Sequence, residues 1–178
     1  MKKKLLLHTC CAPCSTHCVK ELLADYDVVM YFYNPNVHPY GEYIRRLGDA
    51  QKVGDKLGVE LVEGDYDVDE WLSHIAGFEE EPEGGKRCGI CFSIRLGKTA
   101  EYAKKNGFDL FTTTMSISPH KNSKVINSLG EELAKKHGVS WVHSDFKKKD
   151  GFKRSTKMSK KLGLYRQKYC GCFYSVKG

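Results

Sequence analysis

Lys4-Leu5-Leu6-Leu7-His8-Thr9-Cys10-Cys11-Ala12-Pro13-Cys14 is the stretch on which the fold turns. Its first half, Lys4 to His8, is short and apolar, the signature of a buried parallel strand. The second half runs into Ser15-Thr16-His17-Cys18-Val19-Lys20-Glu21-Leu22-Leu23, which reads as a helix. Pro13 suits the first turn of that helix, where a missing N–H costs nothing.

Moving outward, Val28 to Tyr33 forms a second strand, stopped by Asn34-Pro35-Asn36. A helix from Tyr40 to Leu57 puts Tyr43, Leu47, Ala50 and Val53 on one face and ends at Gly58, before a third strand at Val59 to Val62. A short helix from Val68 to Ala76 precedes a polar stretch, residues 79–87, whose lack of apolar anchors predicts a mobile loop. Helix then runs from about Cys91 to Asn106, strand from Leu110 to Thr114, helix from Asn122 to His137, and strand from Val139 to Val142. The segment from Lys147 to Lys161 is helical in part and strongly basic.

Strands alternating with helices predict one α/β domain over residues 1–178, with a mostly parallel five-stranded sheet and helices on both faces. Ligands of such sheets sit beyond the carboxyl ends of the strands. Cys10 and Cys11, after strand one, and the Ser116 to Asn122 loop, after strand four, therefore share one functional edge. His38 and His120 are placed to touch a substrate there, whereas His8 reads as a hydrogen-bonded core histidine. A glycine-rich phosphate loop would stand after strand one, and Cys10-Cys11-Ala12-Pro13-Cys14 occupies that place, which argues against nucleoside triphosphate chemistry.

At 178 residues the chain suffices to bury a core without covalent staples. Its formal charge of +7 is unevenly placed: residues 143–178 hold eleven Lys or Arg against two Asp, while the remainder holds eighteen basic and twenty acidic residues. This asymmetry fits a polyanionic partner, or a lysine-rich solvated face. The basic start Met1 to Lys4 and the apolar run Leu5 to Leu7, halted at His8, make neither a signal core nor a membrane span. The expected setting is the reducing cytoplasm, away from membranes, with metal or redox use of the cysteines rather than a disulfide scaffold.

Eight cysteines fall into Cys10-Cys11-x-x-Cys14 with Cys18, Cys88-x-x-Cys91, and Cys170-x-Cys172. Cys10, Cys11, Cys88 and Cys91 lie at helix starts, where the dipole favours thiolate, and two such pairs supply four ligands for zinc or a cubane iron–sulfur cluster. Cys170 and Cys172 are too close for an unstrained disulfide, which suits electron cycling, though two further metal ligands fit the spacing too. Cys18 reads as packing, and Cys14 as a spare ligand or a supporting thiol.

His8 to Ser15, Cys88-Gly89-Ile90-Cys91, Ser118-Pro119, and Tyr165-Arg166-Gln167-Lys168-Tyr169-Cys170-Gly171-Cys172 resemble the QueH-type epoxyqueuosine reductases. The resemblance runs nearly end to end and takes in Asn34-Pro35-Asn36 and Asp150-Gly151-Phe152; the chain departs from it at His120-Lys121-Asn122. It implies a fold similar to the adenine nucleotide α-hydrolases, and reduction of an epoxide on a modified tRNA base to the alkene, the last step of queuosine synthesis. It also implies a 4Fe-4S cluster held by Cys10, Cys11, Cys88 and Cys91, with a redox pair at Cys170 and Cys172. The open coordination site that the chemistry needs would come from ligand exchange on the cluster or from an additional iron, with Cys14 as the candidate ligand of such an iron. The electron donor lies outside the chain. On this reading Lys147, Lys148, Lys149, Lys153, Arg154 and Arg166 engage anticodon-loop phosphates, with Phe152, Tyr165 and Tyr169 interleaved for base stacking. Two rival readings stay open: a zinc-stabilised RNA-binding module, and a thiol–disulfide oxidoreductase using Cys170 and Cys172.

Overall fold

The computed structural model describes residues 1–176; the last two residues of the basic segment, Lys177 and Gly178, lie outside the described residues. Five strands form one sheet: β1 (Lys3–His8), β2 (Tyr26–Phe32), β3 (Leu61–Glu63), β4 (Leu110–Thr113) and β5 (Ser140–Trp141). Their order is β3-β2-β1-β4-β5, and every pairing is parallel. The chain winds outward from β1 to β2 and β3, then returns to the other side of β1 for β4 and β5. The switch point lies between β1 and β4, where such sheets open a crevice at their carboxyl ends.

Alternation along β1 explains why its centre, Leu5 to Leu7, is apolar at every position. Leu5 and Leu7 enter one core layer with Val19, Met30, Phe32 and Val53, whereas Leu6 enters the opposite layer with Leu96, Phe111 and Ile126. Each fully buried leucine contributes about 1.5–3 kcal/mol. The first layer is covered by α1 (Ala12–Leu22), α2 (Tyr40–Leu57) and α6 (Gly151–Lys161), the second by α4 (Lys86–Lys105) and α5 (Ser123–His137). A short helix, α3 (Val68–Ile75), packs through Trp71 and Ile75 beside α4.

Two boundaries differ from expectation. The third strand starts at Leu61 because the Val59 N–H is used to close α2, donating to the Gly54 carbonyl at 2.8 Å. More consequentially, α4 begins at Lys86, so Cys88 and Cys91 sit together in its first turns. Residues 79–87 are not the free loop that their polarity predicts. Arg87, 2% exposed, donates to the carbonyls of Glu79 (2.8 Å) and Glu81 and so pins the segment from within. A charged residue supplies the anchor that apolar patterning cannot reveal.

Candidate active site: a thiol-lined pocket at the carboxyl edge

Cys11 caps α1 with extended backbone (φ −162°, ψ 159°) and makes no side-chain capping bond. The turn from β1 therefore delivers Cys10, Cys11 and Cys14 to one point, and their sulfurs lie within 4.8 Å of one another. Soft thiolates so grouped are a metal donor set. Cys10 is tied to the turn after β4 by two contacts with Thr114 Oγ1, from its N–H and its sulfur, each 3.3 Å.

The three sulfurs are not equivalent. Thiol hydrogen bonds from Cys11 and Cys14 hold the Cys10 pKa well below the usual cysteine value, with Arg95 and Lys121 adding to the effect. Cys11 is pushed up to about 12 and Cys14 is raised as well, because each interacts with the Cys10 sulfur and is shielded from water, Cys11 fully and Cys14 in part. Cys10 is thus the first of the three to ionise.

Beneath the cluster, His8 is fully buried between Thr113 Oγ1 (2.9 Å) and the Tyr33 carbonyl (3.0 Å). A carbonyl only accepts, so Nε2 carries the proton and Nδ1 accepts from the Thr113 hydroxyl. Burial first, and then the charge of Arg95, lowers the His8 pKa to about 3. It is a neutral structural histidine.

The cysteines belong to a cavity of about 690 Å³, within the roughly 300–1,000 Å³ common for small-ligand sites. Cys10, Cys11 and Cys14 line one side of it and Cys170 another. Met115, Pro119, His120 and Lys121 come from the segment after β4, Phe152 and Thr156 from α6, and Arg166 to Tyr169 from the C-terminal stretch. That stretch has little regular structure, and α2 holds it. Arg46, 2% exposed, donates to the carbonyls of Cys170 (2.6 Å) and Tyr169 (3.1 Å) while pairing with Glu42 at 2.8 Å. The His38 N–H reaches the Gly171 carbonyl at 2.8 Å, and the Tyr165 N–H reaches Asp49 at 2.7 Å.

The predicted site residues separate into groups. Cys88 and Cys91 do not join the cluster of three sulfurs; Cys14 does. Cys91 packs with Cys172, Trp71 and Ile75 in a small apolar cluster, and burial raises the pKa of both Cys88 and Cys91. Cys170 and Cys172 are free thiols rather than a bonded pair. Cys170 lines the pocket, whereas Cys172 is buried in the apolar cluster, so neighbours in sequence stand in different surroundings. Cys18 is fully buried in the core, as packing requires.

His120 lines the pocket, but His38 does not. It is 2% exposed, donates from Nε2 to the Pro35 carbonyl at 2.9 Å, and stacks on Phe173. Of the basic residues, Lys148, Lys149, Lys153, Arg154 and Arg166 are exposed. Lys147 is not free to dock: its ammonium donates to the carbonyls of Ser116 (3.0 Å) and Lys121 (3.2 Å) and pairs with Asp145.

Two cations at the pocket were missed from sequence. Lys121 is partly buried; burial alone would lower its pKa, yet Cys170, Cys10 and Cys14 more than offset this and raise it. Arg95 is 2% exposed. Its one legible sign is its place four residues after Cys91, on the same face of α4.

The parallel sheet and its switch point make this an α/β protein with an adenine nucleotide α-hydrolase-like fold, and three sulfurs gather at the carboxyl edge of the sheet. Among solved structures, the U34-tRNA thiolase NcsA from Methanococcus maripaludis, described with its 4Fe-4S cluster, is similar at TM-score 0.63 and 16% identity, covering 99% of this chain and 62% of that one. A predicted subunit of a tRNA methyltransferase from Methanocaldococcus jannaschii is similar at TM-score 0.57 and 12% identity, covering 100% and 99%. At these identities the likeness concerns the fold. Residues 5–178 match the family profile Epoxyqueuosine reductase QueH. The Streptococcus pyogenes epoxyqueuosine reductase QueH is 43% identical over 99% of this chain and 72% of its own length. The Thermotoga maritima protein of the same name is 35% identical over 97% and 90%. The chain belongs to the epoxyqueuosine reductase QueH family, whose members are oxidoreductases.

Proposed function

We propose that the protein reduces the epoxide of epoxyqueuosine in a tRNA anticodon loop, leaving the alkene of queuosine and releasing the oxygen as water. The observation that carries this reading is the meeting of Cys10, Cys11 and Cys14 with Cys170 around one cavity, in a chain of the reductase family. The reaction consumes two electrons and two protons. An electron donor outside the chain supplies the electrons.

The donor set suits an iron–sulfur cluster: three soft sulfurs converge, and two cations, Arg95 and Lys121, stand ready to compensate the negative charge of such a group. Cys10 and Cys11 would hold it together with Cys88 and Cys91 of α4, and Cys14, grouped with the first two, would be the candidate ligand of a further iron. When bound, the cluster supplies one-electron transfer, and an iron with an open position, in the cluster or beside it, supplies Lewis-acid polarisation of an oxygen.

The remaining roles fall to side chains around the cavity. Cys170 faces the substrate, and Cys172 is its candidate redox partner should that stretch rearrange. Lys121, held charged by the thiols around it, is positioned to donate a hydrogen bond to the departing oxygen. Phe152, 39% exposed at the pocket, offers a stacking surface for an unpaired base. Exposed Lys148, Lys149, Lys153, Arg154 and Arg166 flank it as phosphate contacts.

Anaerobically purified protein should be brown, contain matched iron and sulfide, and convert epoxyqueuosine tRNA with a chemical reductant. Colourless zinc-loaded protein without turnover would defeat the proposal. Affinity for tRNA should fall with salt, log K dropping by about 0.7 per tenfold rise in salt for each single-strand phosphate contact, and Phe152→Ala should cost about 1–3 kcal/mol of binding.

A further inference from the structure

Arg95 is a buried cation with no carboxylate partner among the described residues. One Nη donates to Asn34 Oδ1 at 2.9 Å, the other approaches the Cys91 sulfur at 3.9 Å, and Nε is buried without any acceptor. Asn34 is itself fully buried and fixed, because its Nδ2 donates to the Thr9 carbonyl at 2.9 Å. That bond turns the amide oxygen toward Arg95. The guanidinium is therefore anchored to the ends of β1 and β2 by a neutral group and lines the same cavity as Cys10, Cys14 and Cys170.

A buried charge is tolerated only with a compensating opposite charge. Among the described residues, Glu83 lines the same cavity but forms no ion pair with Arg95, and the groups that can become negative and bear on it are the sulfurs of Cys91, Cys10 and Cys170. A tether through Asn34, rather than through an acid, leaves the whole positive charge available to them. We propose that Arg95, oriented by Asn34, is the fixed counter-charge of the thiol-held redox group and raises its reduction potential. The inference rests on the iron–sulfur reading above. Reduction adds negative charge, and a nearby buried cation favours the more negative state; net charge and hydrogen bonds to sulfur are what set such potentials. Arg95 is thus a positioning residue, acting through the sulfurs rather than on the substrate.

The test compares wild type with Arg95→Gln, Arg95→Met and Arg95→Lys, purified without oxygen, by iron and sulfide content and by redox titration of the visible absorbance. The Gln and Met variants should keep wild-type iron, while their reduction equilibrium moves at least tenfold toward the oxidised form, about 59 mV for one electron. Arg95→Lys should shift by less than half as much. A wild-type midpoint in a loaded Gln or Met variant overturns the inference and leaves the parent reading intact. Should both neutral variants lose their iron, retention in Arg95→Lys supports the counter-charge, and loss there too overturns it, since packing then decides. Wild-type protein without iron overturns both readings.

Discussion

Cys10, Cys11 and Cys14 come from five consecutive residues where β1 turns into α1, whereas Cys170 and Cys172 ride on a stretch with almost no regular structure. The first wall is placed by the most buried strand of the sheet and capped by its own helix. The second is placed by hydrogen bonds from α2 and the loop before it, with Arg46 holding two carbonyls and His38 a third. A site built this way has one side set by the fold and another set by a few polar contacts. Substitutions on the two sides should therefore fail differently.

The largest expected contrast is between Cys10→Ala and Cys170→Ala. The first should lose its iron to background and all epoxide reduction, while far-ultraviolet circular dichroism stays that of wild type. The second should keep its iron and lose turnover on the order of 10–100-fold, the scale of a supporting group rather than a ligand. Iron analysis of Cys170→Ala showing an empty protein would break the comparison, for both walls would then be holding the metal.

Next in size is Arg46→Ala. Removing one member of its buried pair with Glu42 should cost about 3–5 kcal/mol in urea unfolding, with earlier proteolysis near Tyr169. A loss under about 1 kcal/mol would show that the C-terminal stretch is held by its own packing. The smallest effect belongs to Cys18→Ala: roughly 1 kcal/mol of stability and unchanged iron, despite its closeness in sequence to Cys14. Loss of iron there would extend the first wall a turn deeper into α1 than the clustered sulfurs indicate.

Much of this arrangement was legible beforehand. The unbroken apolar run of β1, Pro13 in the first turn of α1, and Gly58 and Gly138 at helix ends each report a local backbone requirement, so strands and helices were found within a few residues. Charged residues that work in the interior were not legible. Arg87 pins residues 79–87, Arg46 clamps the C-terminal stretch, Arg95 faces the thiols, and Lys147 is spent on carbonyls. Sequence patterning assigns charge to solvent, because burial of a cation is decided by partners far along the chain.

His38 shows the converse. It follows a strand as a substrate-facing histidine would, yet Trp71 and Phe173 enclose it. Cys170 and Cys172, two residues apart, are free thiols in different surroundings: nearness in sequence does not say which way each sulfur turns. The sequence by itself determined a parallel α/β sheet with thiols at the carboxyl edge, since hydrophobic period and helix-start chemistry are local properties. Only the tertiary structure decided which sulfurs meet and which cations face them. Those are matters of long-range contact, and the charges concerned are held by polar atoms from strands and helices distant in the chain.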